Sequence, residues 1–278
     1  MTSAEIDALW DFSDPVASEA RFRELFAQTE SPVARDEIRT QIARSLGLQR
    51  RFDEAFRELE GIEAPSPTVR VRKALEWGRV LNSSGRADES VKWFLEALEG
   101  AEGAPDLEFY RVDAAHMLGI AAPPEERLDW NLRAIEMTRS ASDERARGWL
   151  GSLLNNTGWS LHDVGRYEEA HAIFVEALEY RRQHGSPSTI RIAEWCVARS
   201  LRSLGRLEEA LAIQLGLVAG PDDEGYAHEE MGELLVLLGR RDEARPYFAV
   251  AHERLSLDPW LVANEPQRLE RLALLSRD

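Results

Sequence analysis

The chain has 278 residues, 44% apolar and 30% charged, which excludes a disordered chain and allows one or two domains or one extended repeat array. Its formal net charge of −16 repels nucleic acid and anionic membrane, so neither is expected as a partner. Cys196 is the only cysteine, which excludes an internal disulfide and fits a cytoplasmic setting.

The first fifteen residues are acidic and polar, with no basic-then-apolar order, so no secretory leader is expected. No stretch approaches the roughly 18 consecutive apolar residues of a membrane span. Asp14-Pro15 predicts a helix start, with Asp capping the first turn and Pro at the first helical position. An apolar stripe of Ala20, Phe22, Leu25 and Phe26 follows.

Further along, one phrase recurs: Gly85-Arg86-Ala87-Asp88-Glu89-Ser90, Gly165-Arg166-Tyr167-Glu168-Glu169-Ala170, Gly205-Arg206-Leu207-Glu208-Glu209-Ala210 and Gly239-Arg240-Arg241-Asp242-Glu243-Ala244. Arg50-Arg51-Phe52-Asp53-Glu54-Ala55 is a looser copy. The Gly ends one helix in a left-handed conformation. The acidic pair then sits in the first turn of the next helix, at the positive end of its dipole. The small Ala or Ser admits a facing helix. Before each phrase come small or apolar residues at helical spacing, as in Trp77, Gly78 and Leu81 or Thr157, Gly158 and Leu161; bulky ones follow, as in Phe94 and Phe174.

This helix–turn–helix unit resembles the tetratricopeptide repeat, whose period is about 34 residues. The anchors Ala55, Ser90, Ala170, Ala210 and Ala244 are spaced 35, 80, 40 and 34 apart. The gap of 80 holds a degenerate repeat, with a first helix through Ala114, Ala115 and Leu118, Pro123-Pro124 in place of the Gly turn, and a second helix through Trp130 and Ala134. The stretched repeats, such as the one ending in Ala177 to Arg182 and a Gly/Ser/Pro linker at 185–188, are similar to the longer repeats of kinesin light chain and of bacterial peptide-sensing regulators. The resemblance implies an all-α fold, a right-handed α-α superhelix. It is read as a single repeat domain: N-terminal capping helices over 1–35, six repeats over 36–256 with the third degenerate, and a C-terminal capping helix over 257–278. Such arrays need terminal caps because each repeat otherwise leaves an apolar face bare.

Enzyme signatures are absent from the sequence: no Gly-rich phosphate loop, no paired-Cys metal signature and no HExxH. The six histidines are scattered, and His228-Glu229-Glu230 lacks a second His four residues away. No catalytic residue, metal or cofactor is therefore expected, and Cys196 reads as a half-buried helix residue. By resemblance, the first helix of each repeat lines a concave groove. That implies Arg79 and His116 in the second and third repeats, Asn155, Asn156 and Trp159 in the fourth, Trp195, Arg199 and Arg202 in the fifth, and Glu230 in the sixth as candidate binding residues. Paired Asn residues are poor helix formers that suit hydrogen bonding to an extended peptide. Trp supplies binding surface at low entropic cost, and Arg forks onto carboxylates. The competing readings are that Trp159 and Trp195 pack between repeats and that Arg199 and Arg202 pair with Glu229, Glu230 or Glu233. The expected function is a non-enzymatic scaffold for a protein or peptide partner. The alternative is a regulatory sensor for a small ligand or signalling peptide; homo-oligomer formation is left open.

Overall fold

A computed structural model describes residues 2–63, 66–220 and 225–277. The described residues form an all-α fold of consecutive packed helices. The chain divides into two compact units, Met1–Leu153 and Leu154–Asp278.

The first unit holds α1 (Ser3–Asp7), α2 (Pro15–Gln28), α3 (Pro32–Leu48), α4 (Phe52–Glu60), α5 (Pro67–Ser83), α6 (Ala87–Gly100), a 3₁₀ turn over Pro105–Leu107, α7 (Glu108–Ala121), α8 (Pro124–Ser140) and α9 (Glu144–Arg147). Asp14 caps α2 through the Ala17 amide with Pro15 at the helix start, as the sequence predicts, and Ser31 caps α3 through Ala34 ahead of Pro32 in the same way. Helices α3 and α4, α5 and α6, and α7 and α8 pack as successive pairs. Their interior runs from Phe22, Ile38, Ile42 and Leu59 to Phe94, Tyr110 and Leu118, all buried.

The second unit contains most of α10 (Leu150–Asp163), then α11 (Tyr167–His184), α12 (Pro187–Ser203), α13 (Leu207–Val218), α14 (Tyr226–Leu237), α15 (Arg241–Leu255), α16 (Pro259–Asn264) and α17 (Pro266–Leu275). Helix α17 packs on α15 and buries Leu269 and Leu272 against Phe248 and Leu255. This supplies the apolar cover that the last repeat needs.

The recurring phrase builds the same turn each time. Gly85, Gly165, Gly205 and Gly239 have φ between 72° and 84°. The Arg86 amide reaches back to the Leu81 carbonyl at 2.9 Å and the Gly85 amide to Asn82 at 3.1 Å, a Schellman closure repeated at the other three turns. In the looser copy Arg50 takes the glycine's place at φ 63°, a conformation that L residues adopt at a cost. The arginine of each phrase forks onto the glutamate three residues on: Arg86 meets Glu89 through two 2.7 Å bonds, and Arg166, Arg206 and Arg240 repeat the pair. These pairs are solvent-exposed and stabilise little; they fix the first turn of the following helix.

Within a repeat the second helix comes close enough to exclude a Cβ. A methyl added at Gly158 would lie 2.4 Å from the Phe174 ring, and at Gly78 and Gly232 it would meet Phe94 and Phe248 at 2.5 and 2.6 Å. The three rings are buried to 1% exposure or less. Gly158→Ala should therefore destabilise the chain by about 1–3 kcal/mol through overpacking. Gly216→Ala, in α13 with no atom within 4 Å of the added carbon, should stabilise it by about 0.5–1 kcal/mol. Urea denaturation of both variants checks the contrast in sign.

Candidate ligand-binding faces

In the second unit the spacing of three and four residues places the candidate side chains on common helix faces. Helix α10 contributes Asn155, Asn156, Trp159 and His162; α12 contributes Trp195, Cys196, Arg199 and Arg202; α14 contributes Tyr226, Glu229, Glu230 and Glu233. The aromatic residues form a chain. Trp159 lies 5.1 Å from Phe174 and 5.8 Å from Trp195, and Trp195 lies 6.4 Å from Tyr226. The Trp195 indole donates to the Tyr226 carbonyl at 3.3 Å. Both Trp residues are thus packed along one side and half-exposed on the other. Asn155 accepts the Cys196 thiol proton at 3.3 Å. Asn156 is half-buried and its carboxamide makes no hydrogen bond among the described residues.

Beside this aromatic chain is a cavity of about 310 Å³ lined by Trp195, Tyr226, four arginines and three glutamates. Each glutamate has its own arginine. Arg202 forks onto Glu230 at 2.5 and 2.9 Å, Arg268 meets Glu229 at 2.6 Å, and Arg271 meets Glu233 at 2.6 Å. Arg199 is the remaining cation. It donates to Ser203 at 2.7 Å and stands 3.7 Å from Glu230, which is already held by Arg202. Burial and then the neighbouring Arg202 charge push the Arg199 guanidinium below its ordinary value. Burial also pushes the Glu230 carboxyl up, against the pull of Arg202. Arg268 and Arg271 come from α17, which sequence reasoning treats only as a cap. Their signal is a basic pair three residues apart that matches the Glu229/Glu233 pair on α14.

Arg79 and His116 belong to the first unit. Arg79 is held between Glu76, at 2.5 Å, and Asp113. Burial would raise the Asp113 carboxyl, but the Arg79 and Arg44 charges outweigh it and hold it below the usual range. His116 is buried with its ring 4.9 Å from Trp149, and burial pushes its pKa down. The N-terminal residues lie across these helices. Asp7 receives Arg72 at 2.6 Å and Arg145 at 2.5 Å, and the Trp10 indole donates to Gln41 on α3 at 2.8 Å. The sequence signal for this short α1 is the Thr2/Glu5 capping box, ahead of Ile6 and Trp10.

The comparisons with known proteins agree with these helix pairs. Residues 150–184 match the family model described as tetratricopeptide repeat. Residues 150–184 carry a tetratricopeptide repeat. Protein O-mannosyl-transferase TMTC2 of Homo sapiens is 32% identical over 108 residues, 39% of this chain and 12% of that relative, so the chain spans about an eighth of its length. Among solved structures, the tetratricopeptide-repeat sensor protein PH0952 of Pyrococcus horikoshii, a STAND signal-transduction ATPase, superposes with a TM-score of 0.72 at 14% identity, over 94% of this chain and 43% of that one. The apo quorum sensor NprR of B. thuringiensis superposes at 0.65 and 15% identity, over 98% and 80%. NprR in complex with its cognate peptide NprX superposes at 0.54 and 16%, over 98% and 82%. These likenesses show a shared fold of consecutive packed helix pairs. Among the described residues no helix is long and apolar enough to cross a membrane, and no three His, Cys, Asp or Glu side chains gather as a metal site.

Cys196 is 1% exposed, and burial pushes its thiol up to about 12. At pH 8 the native thiol should therefore resist iodoacetamide, because the thiolate is the nucleophile. In urea it should alkylate at the rate of a free cysteine, as mass spectrometry of the labelled chain will show.

Proposed function

We propose that the chain is a non-enzymatic interaction protein, set in the cytoplasm, whose second unit holds an extended acidic peptide segment on the face formed by Asn155, Asn156, Trp159, Trp195, Arg199, Arg202 and Glu230. The observation that carries this reading is the charge of the cavity. Four arginines face three glutamates in a chain of net charge −16, and Arg199 is the arginine without a carboxylate of its own. A desolvated guanidinium of this kind gains a strong, two-pronged partner when a ligand carboxylate arrives. Trp195 and Tyr226 supply a rigid apolar wall beside it, and Asn156 has a free amide to pair with a peptide backbone. The likeness to NprR, solved with its peptide, supports a peptide as the occupant.

Glu230 takes the part of an orienting group. By engaging Arg202 it fixes the neighbouring guanidinium and leaves Arg199 facing the cavity. Arg79 and His116 belong to the first unit.

The test is binding of a fluorescent peptide library, sorted by acidic content, to the full chain. Acidic members should bind best. Arg199→Ala should weaken them by about tenfold or more, and Asn156→Ala should weaken acidic and neutral peptides alike. Unchanged affinity in both variants would overturn the assignment.

A further inference from the structure

The first unit contains a cavity of about 360 Å³. The N-terminal stretch closes one side with Asp7, Trp10 and Phe12. Helices α3, α5 and α7 contribute Arg44, Arg72, Glu76 and Asp113, among others, and Phe109 and Trp149 add aromatic wall. A volume of this size sits in the lower range of small-molecule sites.

Its polar groups are incompletely used. Glu76 and Asp113 are each 2% exposed, and each has one carboxylate oxygen, Oε2 and Oδ1, without a hydrogen-bond partner. Their other oxygens are occupied by Arg79. The buried Arg72 Nε likewise lacks an acceptor. The Arg44 guanidinium makes no hydrogen bond among the described residues. It rests 5.1 Å from the Phe12 ring and 5.5 Å from the Trp10 ring, and 3.9 Å from Glu76. Buried polar groups are ordinarily satisfied, and two carboxylate oxygens and one guanidinium Nε without hydrogen-bond partners beside one cavity are an unusual concentration.

The charges that line the cavity cancel: Asp7, Glu76 and Asp113 against Arg44, Arg72 and Arg145. A net-neutral molecule with separated charges fits such a lining better than an anion or a cation, each of which would leave one sign unmatched. We infer that this cavity binds a zwitterionic α-amino acid with a large aromatic or aliphatic side chain. Its ammonium is drawn to the Glu76 and Asp113 carboxylates, its carboxylate to the Arg44 guanidinium, and its side chain lies against Trp10, Phe109 and Trp149. The N-terminal stretch, through Trp10 and Phe12, forms part of the wall that the ligand touches, so occupancy holds that stretch against α3 and α5.

Isothermal titration calorimetry of the full chain with free L-phenylalanine, L-tryptophan and L-leucine tests this directly, with the N-acetyl and the carboxamide form of each as probes. At least one free amino acid should bind saturably, with a Kd below about 1 mM. Acetylation, which removes the ammonium, and amidation, which removes the carboxylate, should each weaken it by about tenfold or more. Arg44→Leu breaks no hydrogen bond, and Glu76 and Asp113 keep Arg79 as their partner. It should weaken the free amino acid while leaving the carboxamide form unchanged. Absence of saturable binding by all three amino acids would overturn the inference. So would equal binding of free and blocked forms, or equal loss of both forms in Arg44→Leu.

Discussion

The close approach of the two helices within a repeat governs the rest of the structure. At Gly78, Gly158 and Gly232 the second helix inserts a phenylalanine ring where a Cβ would stand. Each ring is fully desolvated by this contact, which contributes roughly 2–3 kcal/mol per site. The contact also fixes the rotation of the first helix about its axis. With the glycine facing its partner, positions one and two residues away, such as Trp159 and Asn156 about Gly158, are turned toward other sides of the helix. On α10 that orientation presents Asn156 and Trp159; on α12 and α14 the helical spacing presents Trp195, Arg199 and Arg202, and Tyr226 and Glu230.

Charge is managed in two ways. At the turns, arginine and glutamate fork together in solvent, as in Arg86 and Glu89, where screening leaves little net stabilisation but the geometry of the first turn is set. On the interior helix faces the pairs are desolvated, and removing either member leaves an uncompensated charge. Arg79 between Glu76 and Asp113 is the most enclosed example. The most loosely held cations in these networks are Arg199 in the second unit, 3.7 Å from Glu230, and Arg44 in the first, 3.9 Å from Glu76.

Much of the fold was legible because it is local. The Gly-Arg-x-acidic-Glu phrase encodes a Schellman turn and the start of the next helix within six residues, and Asp14-Pro15 encodes a cap within two. Arg50 shows where the pattern bends: the turn closes even where the glycine is replaced, because the surrounding hydrogen bonds impose the left-handed conformation. The candidate faces were legible only in outline. Periodicity places Arg199, Arg202 and Glu230 on repeat faces, but which arginine takes which glutamate depends on distances between helices. Arg268 pairs with Glu229 across 39 residues, and Arg72 pairs with Asp7 across 65. No local pattern carries that information. For the same reason the first fifteen residues read only as acidic and polar in sequence, while in the structure Asp7 and Trp10 serve as partners for residues of α3, α5 and α9.

The central claim is that Arg199, and not its neighbour Arg202, is the cation kept for a ligand. Nuclear magnetic resonance of the arginine Nε–Hε groups, followed while an acidic peptide selected by the chain is titrated in, tests it most directly. The Arg199 resonance should move and slow its exchange with water, while Arg202 stays on Glu230 unchanged. Movement of Arg202 with Arg199 static, or binding that leaves both resonances where they are, would contradict the account.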